Sequence, residues 1–279
     1  MSQNSKNILG GGIGNMIEWY DFILYSYFAT LLAQNFFPKE NEIAAVMLTF
    51  ATFASGYLVR PLGAIILGKL GDNYGRAFAL KVSMFGITLA MFLMSILPSF
   101  HSIGLLAPIL LVLLRLLQGI CIGGEHAGGI IYLGEIANPE NRALIVSMKN
   151  NAANIGMLIS MGMASLLFTF FSAAQMHSYG WRLGYIIGAA IGMIFLFLRN
   201  KITEPALYLN YKNQLSLVTM LQQLKALSLQ PIILVITMTS MGAVLLYITF
   251  IYLPSYLKLT QVMPIAVSLR LVTFVTILS

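Results

Sequence analysis

Residues 104–133, GLLAPILLVLLRLLQGICIGGEHAGGIIYL, hold only Arg115, Glu125 and His126 as side chains that carry charge near neutral pH. A helix needs about 20 largely apolar residues to cross a bilayer, and this stretch exceeds that. Its apolar residues surround the helix instead of forming one stripe, the pattern of a span and not of a surface helix. The same criterion applied outward predicts further spans at 10–34, 44–68, 78–98, 144–172, 181–199, 231–254 and 262–279, eight in all.

Composition agrees. Hydrophobic residues make up 58% of the 279-residue chain and charged ones 9%, against about 25% charged in a soluble domain. Soluble globular, disordered and collagenous classes are excluded, leaving an all-α polytopic membrane protein whose first partner is the lipid bilayer. The net charge of +7 comes from scattered cations with no basic patch, which argues against nucleic acid. The single Cys121 excludes a disulfide framework and a cysteine-based metal site. No metal-ligand spacing or nucleophile triad is present, and the glycine run at 10–14 follows no strand, so neither an enzyme nor a cofactor or metal site is expected. The first apolar stretch is too long for a cleavable signal and lacks a small-residue cleavage site, so it is expected to remain as an anchor.

Charge counting orients the array. Lys6, Lys69, Arg76, Lys81, Arg142, Lys149, Arg199, Lys201, Lys212 and Lys225 fall on one side; Lys39, Lys258 and the boundary Arg182 fall on the other. Ten against three predicts a cytoplasmic N-terminus. Residues 200–230 form the one longer connection, polar enough for a cytoplasmic linker, and LVTMLQQLKALSL within it has amphipathic helical spacing. The expected layout is a six-helix bundle over 1–199, a linker over 200–230 and a partial second bundle over 231–279, the plan of a transporter built from two helical halves.

Ionisable groups inside a bilayer cost at least about 2.5–3.5 kcal/mol each at mid-span, so they mark function or pairing. Glu18 and Asp21 are three residues apart on the first span, about one turn. Two neighbouring acids in low dielectric resist joint ionisation, which suits proton coupling; the alternative is that both are solvated or paired with Lys or Arg. Arg115 at mid-span reads as a carboxylate-binding residue or as half of an ion pair between helices. Gln118, Gly119, Ile122 and His126 share its direction, whereas Glu125 points about 80° away. Glu125 reads as a second acid in the pathway or as part of a structural pair, and His126 as a packed, hydrogen-bonded histidine. Arg60 and Arg270 also lie within spans. Between the second and third spans, GKLGDNYGRAFALK (68–81) combines Gly68, Gly71 and Gly75, which permit a tight turn, with Asp72 and Arg76 at ion-pair spacing. Asp72 is also placed to cap a short helix.

These residues carry a resemblance. GKLGDNYGR resembles the loop signature G-x-L-x-D-x-x-G-R of the major facilitator superfamily, and Arg115-Leu116-Leu117-Gln118-Gly119 resembles its second motif. GNMIEWYDFILYSYFA (14–29), TFASGYLVRPLGAIILGKLGD (52–72) and WRLGYIIGA (181–189) are similar to the metabolite:proton symporter branch, which includes proline/betaine and dicarboxylate permeases. The resemblance implies proton-driven uptake of a small organic solute across a bacterial inner membrane. It assigns Gly68, Asp72, Gly75 and Arg76 to a gating loop and Glu18, Asp21, Arg60, Arg115 and Glu125 to a substrate and proton pathway. Ala77 departs from the pattern, since a basic residue commonly follows the arginine, and His126 stands where relatives often carry other residues. Such permeases usually have twelve spans; eight here point to a C-terminally truncated chain. Two functions are therefore open: a proton-coupled symporter of a zwitterion or dicarboxylate, and a non-transporting remnant that serves at most as a helix-bundle partner, with self-association through its exposed inner face.

Overall fold

The computed structural model describes residues 2–38 and 42–211, with isolated positions between 230 and 252. The linker helix expected at 217–229, the span expected at 262–279 and Arg270 lie outside the described residues, and the span at 231–254 is described only at isolated positions. Among the described residues every element is helical.

The first helix, α1 (Gln3–Phe36), starts on Ser2, whose hydroxyl accepts from the Ser5 amide at 3.2 Å. Next come α2 (Glu42–Leu58), α3 (Arg60–Tyr74), α4 (Arg76–Ile96) and the single turn α5 (Phe100–Ile103). The chain continues through α6 (Leu106–Ile136), α7 (Arg142–Phe170), the short α8 (Ala173–Gln175) and a π-helical turn (Met176–Gly180). It ends in α9 (Trp181–Arg199) and α10 (Ala206–Tyr211). The predicted span at 44–68 is two helices meeting at Val59, because Pro61 in the first turn of α3 has no N–H to continue the ladder of α2.

Among the described residues, five segments are long and apolar enough to cross a membrane: Ile43–Tyr74, Arg76–Ile96, Leu106–Ile136, Arg142–Phe170 and Ala173–Arg199. The more polar α1 lies outside that set and is the most enclosed helix, packed against α2, α4, α6, α7 and α9. The polar groups in its middle face protein, which is how Asn15, Glu18 and Asp21 are accommodated. The outer surface carries Ile65, Ile66, Phe85, Phe92, Leu113, Ile155 and Phe197, all exposed, as lipid contact requires.

α6 lies against α2 and α3 at backbone distance. A β-carbon at Gly119 would collide with the Gly56 carbonyl, one at Gly63 with the Ile120 carbonyl, and one at Gly123 with the Arg60 carbonyl. Small residues in this register let helices approach without a hydrophobic driving force. The first compact unit runs from Met1 to Tyr208, so the start of the linker folds with the bundle. Ile202 and Tyr208 are buried, and the Asn7 carboxamide bonds both the amide (3.1 Å) and the hydroxyl (2.9 Å) of Thr203.

Candidate functional site

At the centre of the bundle α1 presents Asp21 to α6. Arg115 donates to its carboxylate at 2.8 and 3.4 Å, and Gln118, one turn along α6, donates at 3.2 Å. Asp21 is fully buried and Arg115 nearly so. The Arg115 guanidinium also lies 4.0 Å over the Tyr25 ring and donates to the Tyr185 hydroxyl at 3.4 Å. An ion pair shut inside low dielectric is held only by good geometry and added hydrogen bonds, and this one has both. Even so, Arg115 Nε and Gln118 Oε1 are buried without a hydrogen-bond partner. A cleft of about 10 Å³ lies between Arg60 and Arg115, bounded by Phe22, Tyr57 and Gln118, with room for about one water.

Glu18 does not share a site with Asp21. One turn apart, the two carboxylates turn to different helices, Asp21 to α6 and Glu18 to α3. Glu18 is 2% exposed and its nearest cation is Arg60 at 3.7 Å, longer than a hydrogen bond; its Oε2 has no partner. Arg60, 25% exposed, stacks 4.0 Å from the Tyr57 ring. The expected direct competition between two adjacent acids is thus replaced by one well-ligated and one under-ligated carboxylate.

Glu125 pairs with Arg199. The two prongs measure 2.6 and 2.7 Å, both residues are fully buried, and Ser83 donates to the same carboxylate at 2.6 Å. Arg199 further donates to the carbonyls of Gly10 (2.9 Å) and Leu80 (2.7 Å). Of the two readings open for Glu125, the geometry is that of a structural pair joining α1, α4, α6 and α9. The sequence counted Arg199 and Lys149 as loop cations; both are buried inside the bundle. Lys149 donates to Asn15 Oδ1 at 3.0 Å and lies 3.2 Å from His126 Nδ1. His126 is hydrogen-bonded as expected but exposed, not packed.

In the glycine-rich stretch only Gly75 makes the turn, with φ of +127°. Gly68 and Gly71 are helical, and a β-carbon at Gly68 would touch nothing, so neither a turn nor a close contact accounts for that glycine. Asp72 is not a cap: it sits in the last turn of α3 and pairs with Arg76, which reaches Glu135 at 3.3 Å. The start of α4 is capped instead by Glu204, whose oxygens accept from the amides of Ala77 (3.2 Å) and Phe78 (3.3 Å). Glu204 and Tyr208, whose hydroxyl donates to the Asp72 carbonyl at 3.1 Å, come from the segment expected to be a cytoplasmic linker. Neither has a sequence signature beyond Glu204 preceding a proline.

Residues 12–279 match the sequence pattern of the Major Facilitator Superfamily. The chain belongs to this family. A Staphylococcus haemolyticus protein bearing a proline/betaine transporter name is 38% identical over 206 residues, covering 74% of this chain and 44% of that protein. The citrate-proton symporter of Klebsiella pneumoniae is 32% identical over 264 residues, covering 95% and 59%. The chain therefore spans about half the length of the curated relatives it matches. The major facilitator fold is seen in a D-xylose-proton symporter crystal structure, with a TM-score of 0.78 at 19% identity over 99% of this chain and 66% of that one. The E. coli xylose transporter in a partially occluded inward-open state gives 0.69 at 20% identity, covering 76% and 52%. The chain is an integral membrane protein of this family, whose relatives here are transporters and not enzymes.

Proposed function

We propose that this chain provides the N-terminal half of a proton-coupled secondary transporter for a small organic solute, either a zwitterion such as proline or betaine or a dicarboxylate. The carrying observation is the Asp21–Arg115 pair, a buried charge couple on two different helices with unsatisfied donor and acceptor atoms beside it. Protonating Asp21 would release the Arg115 guanidinium to a solute carboxylate, for which its planar fork is suited. Proton and solute binding are then linked through one arginine, and the affinity difference between states drives the cycle. The domain plan proposed with it is a bundle over 1–199, a linker over 200–230 and the beginning of a second bundle over 231–279. The N-terminus is proposed to be cytoplasmic in a bacterial inner membrane, the loop around Asp72, Gly75 and Arg76 to control opening, and the six-helix half to be able to self-associate.

The test is a chimera in which residues 1–208 replace the matching half of the Klebsiella citrate-proton symporter, reconstituted in vesicles. The expected result is gradient-driven accumulation of a test solute (citrate, α-ketoglutarate, proline or betaine) that is lost in Asp21→Asn while solute exchange persists. Full accumulation in Asp21→Asn would overturn the reading.

A further inference from the structure

The bundle holds four inward-facing cations, Arg60, Arg115, Lys149 and Arg199, against three carboxylates, Glu18, Asp21 and Glu125. Arg115 and Arg199 each have a carboxylate at hydrogen-bond distance. Lys149 has none: it is 1% exposed, and none of the ion pairs among the described residues includes it. It is nonetheless held in place, because the Asn15 carboxamide donates to the Lys149 carbonyl at 2.9 Å while accepting from its ammonium. A buried ammonium fixed in position without a counter-charge is costly unless something supplies that charge.

His126 extends the argument. An ammonium can only donate, so the 3.2 Å contact makes His126 Nδ1 the acceptor and leaves the ring proton on Nε2. His126 is exposed, so this N–H lies on the open surface of the unit. Arg60 comes from the neighbouring helix: its main-chain carbonyl packs on Gly123, one helical turn before His126 on α6. Its Nε is unpartnered, as is Glu18 Oε2 beside it. Glu125 is committed to its hydrogen-bonded arginine, Arg199, whereas Glu18 has no cation at hydrogen-bond distance, which leaves Glu18 as the acid that can serve this cluster.

We propose that Lys149, His126 and Arg60 form a receptor for a carboxylate group of the solute, with Glu18 as the resident counter-charge that the solute replaces. Arg60 also shares the cleft with Arg115, so the cations run from Lys149 through Arg60 to Arg115, and a row with more positive charge than one carboxylate offsets takes a di- or tricarboxylate, not a betaine-like zwitterion. The inference rests on the transport reading above and selects among the solutes it allows.

The test is solute binding to the purified 279-residue chain in detergent, by calorimetry with citrate, succinate, proline and betaine. Citrate or succinate is expected to bind, and proline and betaine are not. Lys149→Gln should weaken the carboxylate by about tenfold or more, the usual effect of losing one hydrogen bond to a charged group, and Lys149→Arg should restore part of it. Glu18→Gln should tighten the same solute, a gain that a merely structural role for this cluster does not produce, and this arm stands even where Lys149→Gln does not fold. Carboxylate affinity unchanged in Glu18→Gln and His126→Gln would overturn the receptor. Binding of proline or betaine with no response to citrate or succinate would overturn the inference and leave the transport reading standing. No binding of any solute would also overturn it, and the chimera's accumulation would then decide the transport reading on its own.

Discussion

Arg199, the last residue of α9, is fully buried and grips Glu125 on α6 through two hydrogen bonds of 2.6 and 2.7 Å. Gly14 on α1 lies so close that a β-carbon there would collide with both groups. With Ser83 and Leu80 of α4 also bonded to the pair, four helices meet at this point. Breaking a buried pair by removing one partner costs about 3–5 kcal/mol, because the other charge is left alone, whereas replacing both by apolar residues is often near neutral. Arg199→Leu or Glu125→Leu alone should sharply lower membrane abundance and melting temperature in detergent. The double variant should recover most of the loss. Equal stability of single and double variants would show that the pair is not what holds these helices.

Arg115→Ala should behave differently. In the full-length chimera it should abolish solute uptake and, because it strands the fully buried Asp21 without its cation, also lower stability; Arg115→Ala combined with Asp21→Asn leaves no buried charge and should restore abundance without restoring uptake. Arg115→Lys should remain impaired, because a point ammonium cannot reproduce a guanidinium's two-pronged contact. Normal uptake at normal abundance in Arg115→Ala would remove it from the pathway.

Gly75 and Glu204 make a separable pair of predictions for the loop. Glu204→Ala removes the cap of α4 and should cost about 1 kcal/mol. Gly75→Ala should cost more, about 1–3 kcal/mol, since φ of +127° with ψ of 145° belongs to a region kept almost wholly for glycine. Thermal unfolding in detergent ranks the two, and a Gly75→Ala protein as stable as wild type would contradict the turn.

Orientation has its own check. With Lys149 and Arg199 withdrawn from the loops, the ten cations on the N-terminal side become eight, still against three. The bias keeps its direction. In a Cys121→Ser background, an impermeant thiol reagent should label a cysteine at Ser102 in intact cells and none at Asn141, both exposed. The reverse pattern would invert the topology.

The long helices were legible because apolar length is a one-dimensional signal. So was the divergence of Arg115 and Glu125, because a regular helix converts sequence separation into angle. Arg199 and Lys149 were misplaced for the opposite reason. Both lie near the ends of apolar runs, and sequence alone does not distinguish a cation leaving the bilayer from one turning inward to a carboxylate on another helix. Glu18 and Asp21 show the same gap, since a 60° difference in direction on α1 is enough to give them different neighbours. Glu204 was missed because a side chain that caps a helix more than 120 residues earlier leaves no periodic trace.

The contact between the Arg60 carbonyl and Gly123 fixes how far Arg60 can travel. With its main chain seated on α6, the guanidinium explores only what its own rotatable bonds permit, a radius of a few ångströms. Under the proposed receptor, recognition at this point is done by a short arm on a seated shoulder, and its selectivity is set by the length of that arm. Arg60→Lys, which keeps the charge but alters the arm's tip, would change which solutes fit more than how tightly the helices hold together.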